Sequence, residues 1–187
     1  MSKSQLNAFM AKVDGDAALK ARVQLARCEY QSALIENSIA VELNPTFAAA
    51  YCGLADSLAY EGRYQESIRQ FEHALELSPN DPQRWAFLTY GSLAFIFKRD
   101  FEAAVAWADR AAEIPNCQYW TLAHKAVALA YLDRLVEARQ TVDKLLVARP
   151  GFCRAFARQK LFYLKQPEQL QMYLDGLSLA GVPDTST

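Results

Sequence analysis

Histidines and carboxylates are the side chains in this sequence most able to do acid–base or metal chemistry. The two histidines, His73 and His124, are too few for a histidine-rich metal site. Acidic residues between Asp56 and Glu76 occur singly on predicted helical faces that also carry arginine and glutamine, which is typical of a solvated face. The sequence contains no phosphate-binding loop, dinucleotide-binding glycine motif, HExxH motif or nucleophile elbow. We therefore predict a protein that is not an enzyme, with no catalytic residue, metal site or cofactor.

The cysteines lie too far apart to form a zinc-binding cluster. Intervals of 24, 65 and 36 residues separate them, and there is no C-x-x-C pair. Each lies in or beside an apolar helical run, where a free cysteine behaves as a small hydrophobic residue. We predict reduced thiols at all four positions: Cys28, Cys52, Cys117 and Cys153.

Composition favours an ordinary helical protein without a nucleic acid or membrane partner. The 187 residues are 52% apolar and 22% charged, with a formal net charge of −1, so the chain can bury a core and lacks the basic excess of a nucleic-acid-binding protein. Seven glycines and seven prolines are too few for an all-β chain with many turns. The N-terminus has no signal-peptide pattern and no segment has about 18 consecutive apolar residues. These features predict a cytoplasmic location.

Four prolines divide the chain into units that would position any functional side chain. Pro45, Pro79, Pro115 and Pro150 follow one another at intervals of 34, 36 and 35 residues, and each ends an amphipathic run. A stop at a constant interval of this length is the signature of a helical repeat. We therefore predict one helix pair per unit.

The clearest unit covers residues 48–81. Tyr51, Leu54 and Leu58 are spaced by three and four residues, which places them on one face of a first helix. Gly62 then predicts a break, because glycine readily takes the left-handed conformation that ends helices. Asp81 and Pro82 predict the cap and first turn of the next helix. The second helix presents another apolar face: Tyr64, Ile68, Phe71 and Leu75.

This unit resembles the tetratricopeptide repeat, a helix–turn–helix of 34 residues with an ordered series of aromatic, small, glycine and proline positions. The series is filled in register by Tyr51, Leu54, Ala55, Gly62, Ser67, Phe71, Ala74 and Pro79. Units before and after it keep the pattern more loosely, and Asp133 replaces the turn glycine of the last one. The resemblance implies an all-α, right-handed superhelical solenoid of three to four antiparallel helix pairs with capping helices at both ends.

The repeat boundaries predict four segments. Residues 1–28 form an N-terminal capping segment, residues 29–150 the repeat array, residues 151–182 C-terminal capping helices, and residues 183–187 a flexible tail. Within the cap, residues 151–164 form one helix and Pro167 opens another. The cap follows from the need of a solenoid for terminal units with a polar outer face.

Two further resemblances suggest other roles. The sequence from Trp85 to Pro183 is similar to the carboxy-terminal repeat module of bacterial class III nucleotide cyclase-type proteins and winged-helix regulators, which implies a regulatory module acting in trans. Residues 2–23 resemble the first helix of Nif11-like proteins, which implies a maturation or nitrogen-fixation accessory. The alternative for residues 2–23 is an amphipathic cap in which Leu6, Phe9 and Met10 cover the first helix pair.

Charge is distributed unevenly along the chain. Residues 42–82 contain seven acidic and two basic residues, whereas residues 118–165 contain nine basic and three acidic residues. This polarity could attract an acidic partner to the C-terminal half or favour head-to-tail self-association of two copies. Uneven solvated faces are the alternative explanation. Association that depends on ionic strength would distinguish the two.

In a superhelix of helix pairs the first helices line the concave side, so their non-core positions are the candidate partner contacts. We predict that Tyr60, Tyr90, Trp120 and Tyr131 anchor a helix or extended peptide of a partner protein. The alternative is that some of these aromatic residues pack between repeats. The predicted partner-binding groove contains Cys52, Asp56, Tyr60, Arg84, Tyr90, Trp120, His124 and Tyr131. The sequence thus predicts a non-catalytic, bacterial protein-binding adaptor.

Overall fold

Helices follow one another along the chain in the order that the periodic prolines predict. The computed structural model describes residues 15–26 and 29–185. The predicted N-terminal cap and its Nif11-like helix fall mainly on residues 1–14, outside the described residues, as does Cys28. The described helices are α1 (Ala17–Ala26), α2 (Tyr30–Leu43), α3 (Ala48–Tyr60), α4 (Tyr64–Leu77), α5 (Arg84–Lys98), α6 (Phe101–Ala112), α7 (Trp120–Tyr131), α8 (Leu135–Ala148), α9 (Arg154–Lys160) and α10 (Pro167–Leu179).

The chain divides into two compact units, Met1–Ser78 and Pro79–Thr187. In the first unit α1 packs against α2 and α3, and α3 packs against both α2 and α4. Small side chains let these helices approach closely: Ala33, Ala55 and Ala74 are fully buried, as is the ring of Phe71. Gly53 lies against Asn37, whose side-chain oxygen would be 2.6 Å from a Cβ at that position.

In the second unit α5 and α6 form a pair, and α7 packs against α5, α6, α8 and α10. The α5–α6 pair is joined by the Ser92 hydroxyl, which donates to the Ala104 carbonyl at 2.8 Å. Gly91 admits the Trp107 ring, because a Cβ at Gly91 would lie 2.3 Å from Trp107 Cζ3. The described residues of both units contain helices and loops and no strand. The predicted all-α class with antiparallel helix pairs is confirmed.

Four helices end in the same hydrogen-bonded motif. The amides of Arg63, Asp100, Arg134 and Val182 each donate to the carbonyl five residues earlier, which is the Schellman arrangement and requires a left-handed residue just before each donor. The left-handed residues, with positive φ, are Gly62, Arg99, Asp133 and Gly181. The turn predicted at Gly62 and its replacement at Asp133 are thus both observed.

Two predicted boundaries differ from the structure. Asp81 does not cap α5: its Oδ1 accepts from the Gln83 amide at 2.7 Å, forming a turn ahead of a helix that begins at Arg84. The predicted flexible tail is bound in its described part, because Pro183 and Asp184 accept hydrogen bonds from the amides of Arg154 and Ala155 at the start of α9. The remaining segment boundaries stay predictions.

Candidate partner-binding surface

On α3, the predicted contacts Cys52, Asp56 and Tyr60 are four residues apart and share one helical face. Cys52 and Asp56 are half-buried. Burial raises the pKa of the Asp56 carboxyl to about 8, so this group is mostly protonated at neutral pH and can donate a hydrogen bond. Tyr60 is 5% exposed and its ring lies 5.4 Å from that of Tyr30. Tyr60 is therefore a packing residue, which corrects its predicted role as an anchor.

On α5, Arg84 and Tyr90 are both half-buried. Arg84 is the first residue of the helix, and Tyr90 follows Thr89, whose hydroxyl shares a buried 2.6 Å hydrogen bond with the hydroxyl of Thr121 on α7. This bond fixes α5 and α7 side by side. Tyr90 is thus half-buried and remains a candidate partner contact, on a helix that a polar contact holds in place.

On α7, Trp120 belongs to a cluster of aromatic rings. Its ring centroid lies 5.4 Å from Tyr119, 5.6 Å from Phe152 and 6.5 Å from Phe156, the last in a stacked geometry. Phe152 is 1% exposed, whereas Tyr119, Trp120 and Phe156 are half-buried. Phe152 and Phe156 were not among the predicted contacts, although the Pro150-Gly151 break just before them marks a chain reversal.

The predicted contact His124 is buried beneath α10. It is 2% exposed, and its Nδ1 lies 2.7 Å from the hydroxyl of Tyr173, which is fully buried. Burial lowers the pKa of His124 to about 3 and raises the pKa of Tyr173, so both side chains are neutral at physiological pH. His124 therefore holds α10 on α7 and does not face a partner, which corrects the prediction.

Tyr131 is also engaged by α10, but it remains half-buried. Its hydroxyl donates to the Met172 carbonyl at 2.7 Å, and its ring stacks on Phe101 with centroids 4.8 Å apart. Burial raises the pKa of Tyr131, and the negative charge of Asp175 adds to the effect. The α10 backbone comes close because Gly176 has no side chain between it and Val127.

An open pocket of about 500 Å³ lies beside Tyr131 in the second unit. One wall comes from α10 and the other from the C-terminal end of α5. Its lining combines a guanidinium, a phenol, two carboxylates, an amide and apolar side chains, which suits a polypeptide with both polar and apolar groups. The lining residues are Arg99, Tyr131, Pro167, Glu168, Gln171, Met172 and Asp175.

The predicted repeat-signature residues lie where a helix pair needs them. Ala55, Ser67, Phe71 and Ala74 are fully buried, and Tyr51 is 9% exposed with its ring edge on His73, centroids 4.5 Å apart. Leu54 is half-buried, Gly62 forms the turn with φ of 87°, and Pro79 is exposed. The signature thus describes packing of α3 on α4.

Among residues 15–26 and 29–185, no group of three or more histidine, cysteine or acidic side chains is arranged to hold a metal ion. The cysteines in this part of the chain, Cys52, Cys117 and Cys153, are free thiols. Cys153 has a structural role, because its Sγ accepts the Phe156 amide at 3.4 Å and caps α9. None of the described helices has the length and apolarity to cross a membrane.

Comparisons with known proteins agree with the helix-pair fold described above. Residues 48–81 match the tetratricopeptide repeat family, and no curated protein matches the chain. Similar solved structures include YrrB, described as a TPR protein with an unusual peptide-binding site, at 22% identity, 85% coverage of this chain, 82% of that chain and a TM-score of 0.58. MamA residues 41 to the end from Desulfovibrio magneticus RS-1 align at 14% identity, 88% and 93% coverage and a TM-score of 0.62.

The match and the structural similarities agree with the helix pairs, the left-handed turns and the buried signature residues described above. At these identities the similar structures inform on fold and not on ligand. Residues 48–81 are a tetratricopeptide repeat, and the chain has the all-helical fold of tetratricopeptide repeat proteins.

Proposed function

We propose that this protein is a non-catalytic adaptor that binds a peptide or helix of a partner protein at the ends of the first helices α5 and α7 and along the facing helix α10. A tetratricopeptide repeat fold supports a protein-binding role. YrrB, which shares the fold, has a peptide-binding site according to its description. The observation that carries the proposal is the open pocket beside Tyr131, because it offers a partly exposed aromatic ring next to charges of both signs.

The contacts retained in this proposal are the predicted groove residues that stay half-buried. A half-buried side chain is already ordered by its neighbours, so it loses little conformational entropy when a partner covers it. Arg99 joins the set, since it lines the same pocket as Tyr131. In the second unit the set is Arg84, Tyr90, Arg99, Trp120 and Tyr131; in the first unit, Cys52 and Asp56 stay predicted contacts.

Selection of linear peptides displayed on phage against the immobilised chain tests the proposal. Enriched peptides, made synthetically with a fluorescent label, should bind with a measurable Kd by anisotropy. Tyr90→Ala and Arg99→Ala should each weaken this binding by about tenfold, the equivalent of about 1.4 kcal/mol. Circular dichroism should show unchanged helicity in both variants.

Phe162→Ala is the matched control, because Phe162 is an aromatic residue of the second unit that is 59% exposed and belongs neither to the pocket lining nor to the predicted groove residues. It should leave the Kd unchanged. Failure to enrich any peptide, or equal loss of affinity in the control, would contradict the proposal. The regulatory and Nif11-related alternatives, the bacterial source and the cytoplasmic location rest on sequence resemblance and composition and stay predictions.

A further inference from the structure

The outer face of α2 carries an exposed aliphatic stripe. Ile35, Ile39 and Leu43 are 57%, 39% and 78% exposed and follow at intervals of four residues, which aligns them on one side of the helix. Phe47, just after the helix, is 42% exposed. Large apolar side chains that adjoin one another on a surface usually mark a contact with another molecule.

The equivalent positions of the other second helices are more polar. Each second helix has a buried small residue near its start: Ala33 in α2, Ser67 in α4, Ala104 in α6 and Ala138 in α8. Aligning the helices on this residue gives the positions in the later repeats that correspond to the stripe. Two of the three stripe positions are then charged or polar in α4 and α8, and one is charged in α6. The matched triplets are Arg69, His73 and Leu77 in α4; Ala106 and Arg110 in α6 with Ile114 just after it; and Gln140, Lys144 and Ala148 in α8.

The charge on this face has one sign. The charged residues of α2 are Glu36 and Glu42, and Glu36 forms an ion pair with Lys20. Glu42 is exposed and close to the stripe in helical projection, and it forms no ion pair within the described residues. The α2 face therefore presents aliphatic surface together with an unneutralised carboxylate.

A surface of the second unit has the opposite combination. Two cations bracket the half-buried ring of Phe156, with Arg149 Cζ 5.1 Å and Lys160 Nζ 5.7 Å from its centroid. Arg149 also lies 5.9 Å from the Tyr119 ring. Neither cation forms an ion pair with an acid among the described residues, and both are exposed. We call Tyr119, Arg149, Phe156 and Lys160 the aromatic–basic patch.

We propose that the α2 face of one copy of this protein docks on the aromatic–basic patch of a second copy. Aliphatic side chains on α2 would cover the rings of Tyr119 and Phe156, while the Glu42 carboxylate would offset one of the two positive charges of Arg149 and Lys160. Residues 42–82, which begin at the end of α2, contain seven acidic and two basic residues, whereas residues 118–165, which include the patch, contain nine basic and three acidic residues. This self-association does not depend on the proposed peptide pocket.

Two different surfaces meet in this contact, so it leaves one free surface of each kind on every pair. Such a heterologous contact extends into chains or closes into rings, and it does not stop at a dimer by two-fold symmetry. A few aliphatic side chains and one carboxylate cover less than the ~800 Å² per partner of a standard interface. We therefore expect weak association. The associated fraction should increase with protein concentration, and the affinity should fall with added salt because counterions screen the charges.

Sedimentation velocity on the full chain at low and high ionic strength tests this inference. At low ionic strength the weight-average mass should rise beyond that of a dimer as the concentration increases. Ile39→Asp, and separately the double variant Arg149→Glu/Lys160→Glu, should each weaken self-association by at least about tenfold. Matched controls are Val136→Asp, an aliphatic residue of α8 that is 69% exposed, and Arg110→Glu, whose guanidinium lies 5.5 Å from the Trp107 ring. Both controls should associate like the parent protein.

Mixing the two defective proteins distinguishes this contact from others. The Ile39→Asp protein keeps its patch and the Arg149→Glu/Lys160→Glu protein keeps its α2 face, so an equimolar mixture should form a complex of one copy of each and grow no further. A monomer at all concentrations and ionic strengths overturns the inference. So does self-association that survives the double variant, which would indicate pairing of two α2 stripes. Circular dichroism confirms that each variant is folded.

Discussion

Tyr173 of α10 and His124 of α7 share a hydrogen bond of 2.7 Å between two buried side chains. It joins residues 49 positions apart in the sequence and places the C-terminal helix over a face of α7 that was expected to be open. Removing one partner leaves the other buried without its hydrogen bond, which costs more than the net value of the bond itself.

Tyr173→Phe should therefore lower the free energy of unfolding of the second unit by about 1–3 kcal/mol. Hydrogen exchange of the α10 amides measures this locally. Tyr119→Phe is the control, since Tyr119 is half-buried in the same unit and the change keeps its ring contacts with Trp120 and Phe152. Equal protection of α10 in parent and Tyr173→Phe proteins would show that the bond contributes nothing.

Lowering the pH should weaken the packing of α10 on α7, because the buried His124 must then take up a proton. The folded-state pKa of about 3 lies below the ordinary value of 6.5, so below pH 6.5 the unfolded state binds more protons and stability falls as the pH decreases toward 3. The slope should reach about 1.4 kcal/mol per pH unit. His124→Gln should remove this dependence from α10 exchange. His73→Gln, at a histidine whose side chain is 43% exposed, should retain it.

Raising the pH from about 4 to about 8 should weaken the first unit through Asp56. Burial raises the pKa of this carboxyl from 3.8 to about 8, so between these values the folded state holds the extra proton and stability falls as the pH rises. Asp56→Asn should flatten this dependence and stabilise α3 at pH 8, by about 1–3 kcal/mol. The exposed Glu72→Gln change on α4 should do neither, as judged by exchange of α3 amides.

A methyl group at Gly176 should push α10 away from α7. Its Cβ would lie 2.6 Å from Val127 Cγ1 and 2.9 Å from Tyr131 Cε2, and overpacking of this kind costs about 1–3 kcal/mol. Gly176→Ala should thus lower the thermal midpoint of the second unit. Ser178→Ala, at an exposed position of the same helix, should leave it unchanged or raise it slightly because alanine favours helix.

The turn after α7 can be improved by glycine. Asp133 has φ of 60°, a conformation that costs a non-glycine residue about 1–2 kcal/mol and aspartate somewhat less. Asp133→Gly should raise the free energy of unfolding by up to about 1 kcal/mol in urea titration. Gly62→Ala, at φ of 87°, should have the opposite effect, and a loss of stability on Asp133→Gly would refute the argument.

The sequence by itself determined the repeat: the helix pair of the clearest unit, the turn between its helices and the side chains that pack one helix on the other. Gly62, Ser67, Phe71 and Ala74 could be assigned because spacing of three and four residues and the turn conformation are local properties, readable within one unit. The same locality predicted Asp133 as a turn residue, because aspartate tolerates the left-handed conformation.

Only the tertiary structure decided which faces stay open. The spacing placed Tyr60 and His124 on first helices but carried no information about which other elements cover these helices. Both residues are buried in the structure. Tyr173 has apolar neighbours in the sequence, but its contact with α7 depends on Gly176 allowing close approach between distant segments. Contacts of that kind depend on three-dimensional packing, which a periodic pattern along one helix does not specify.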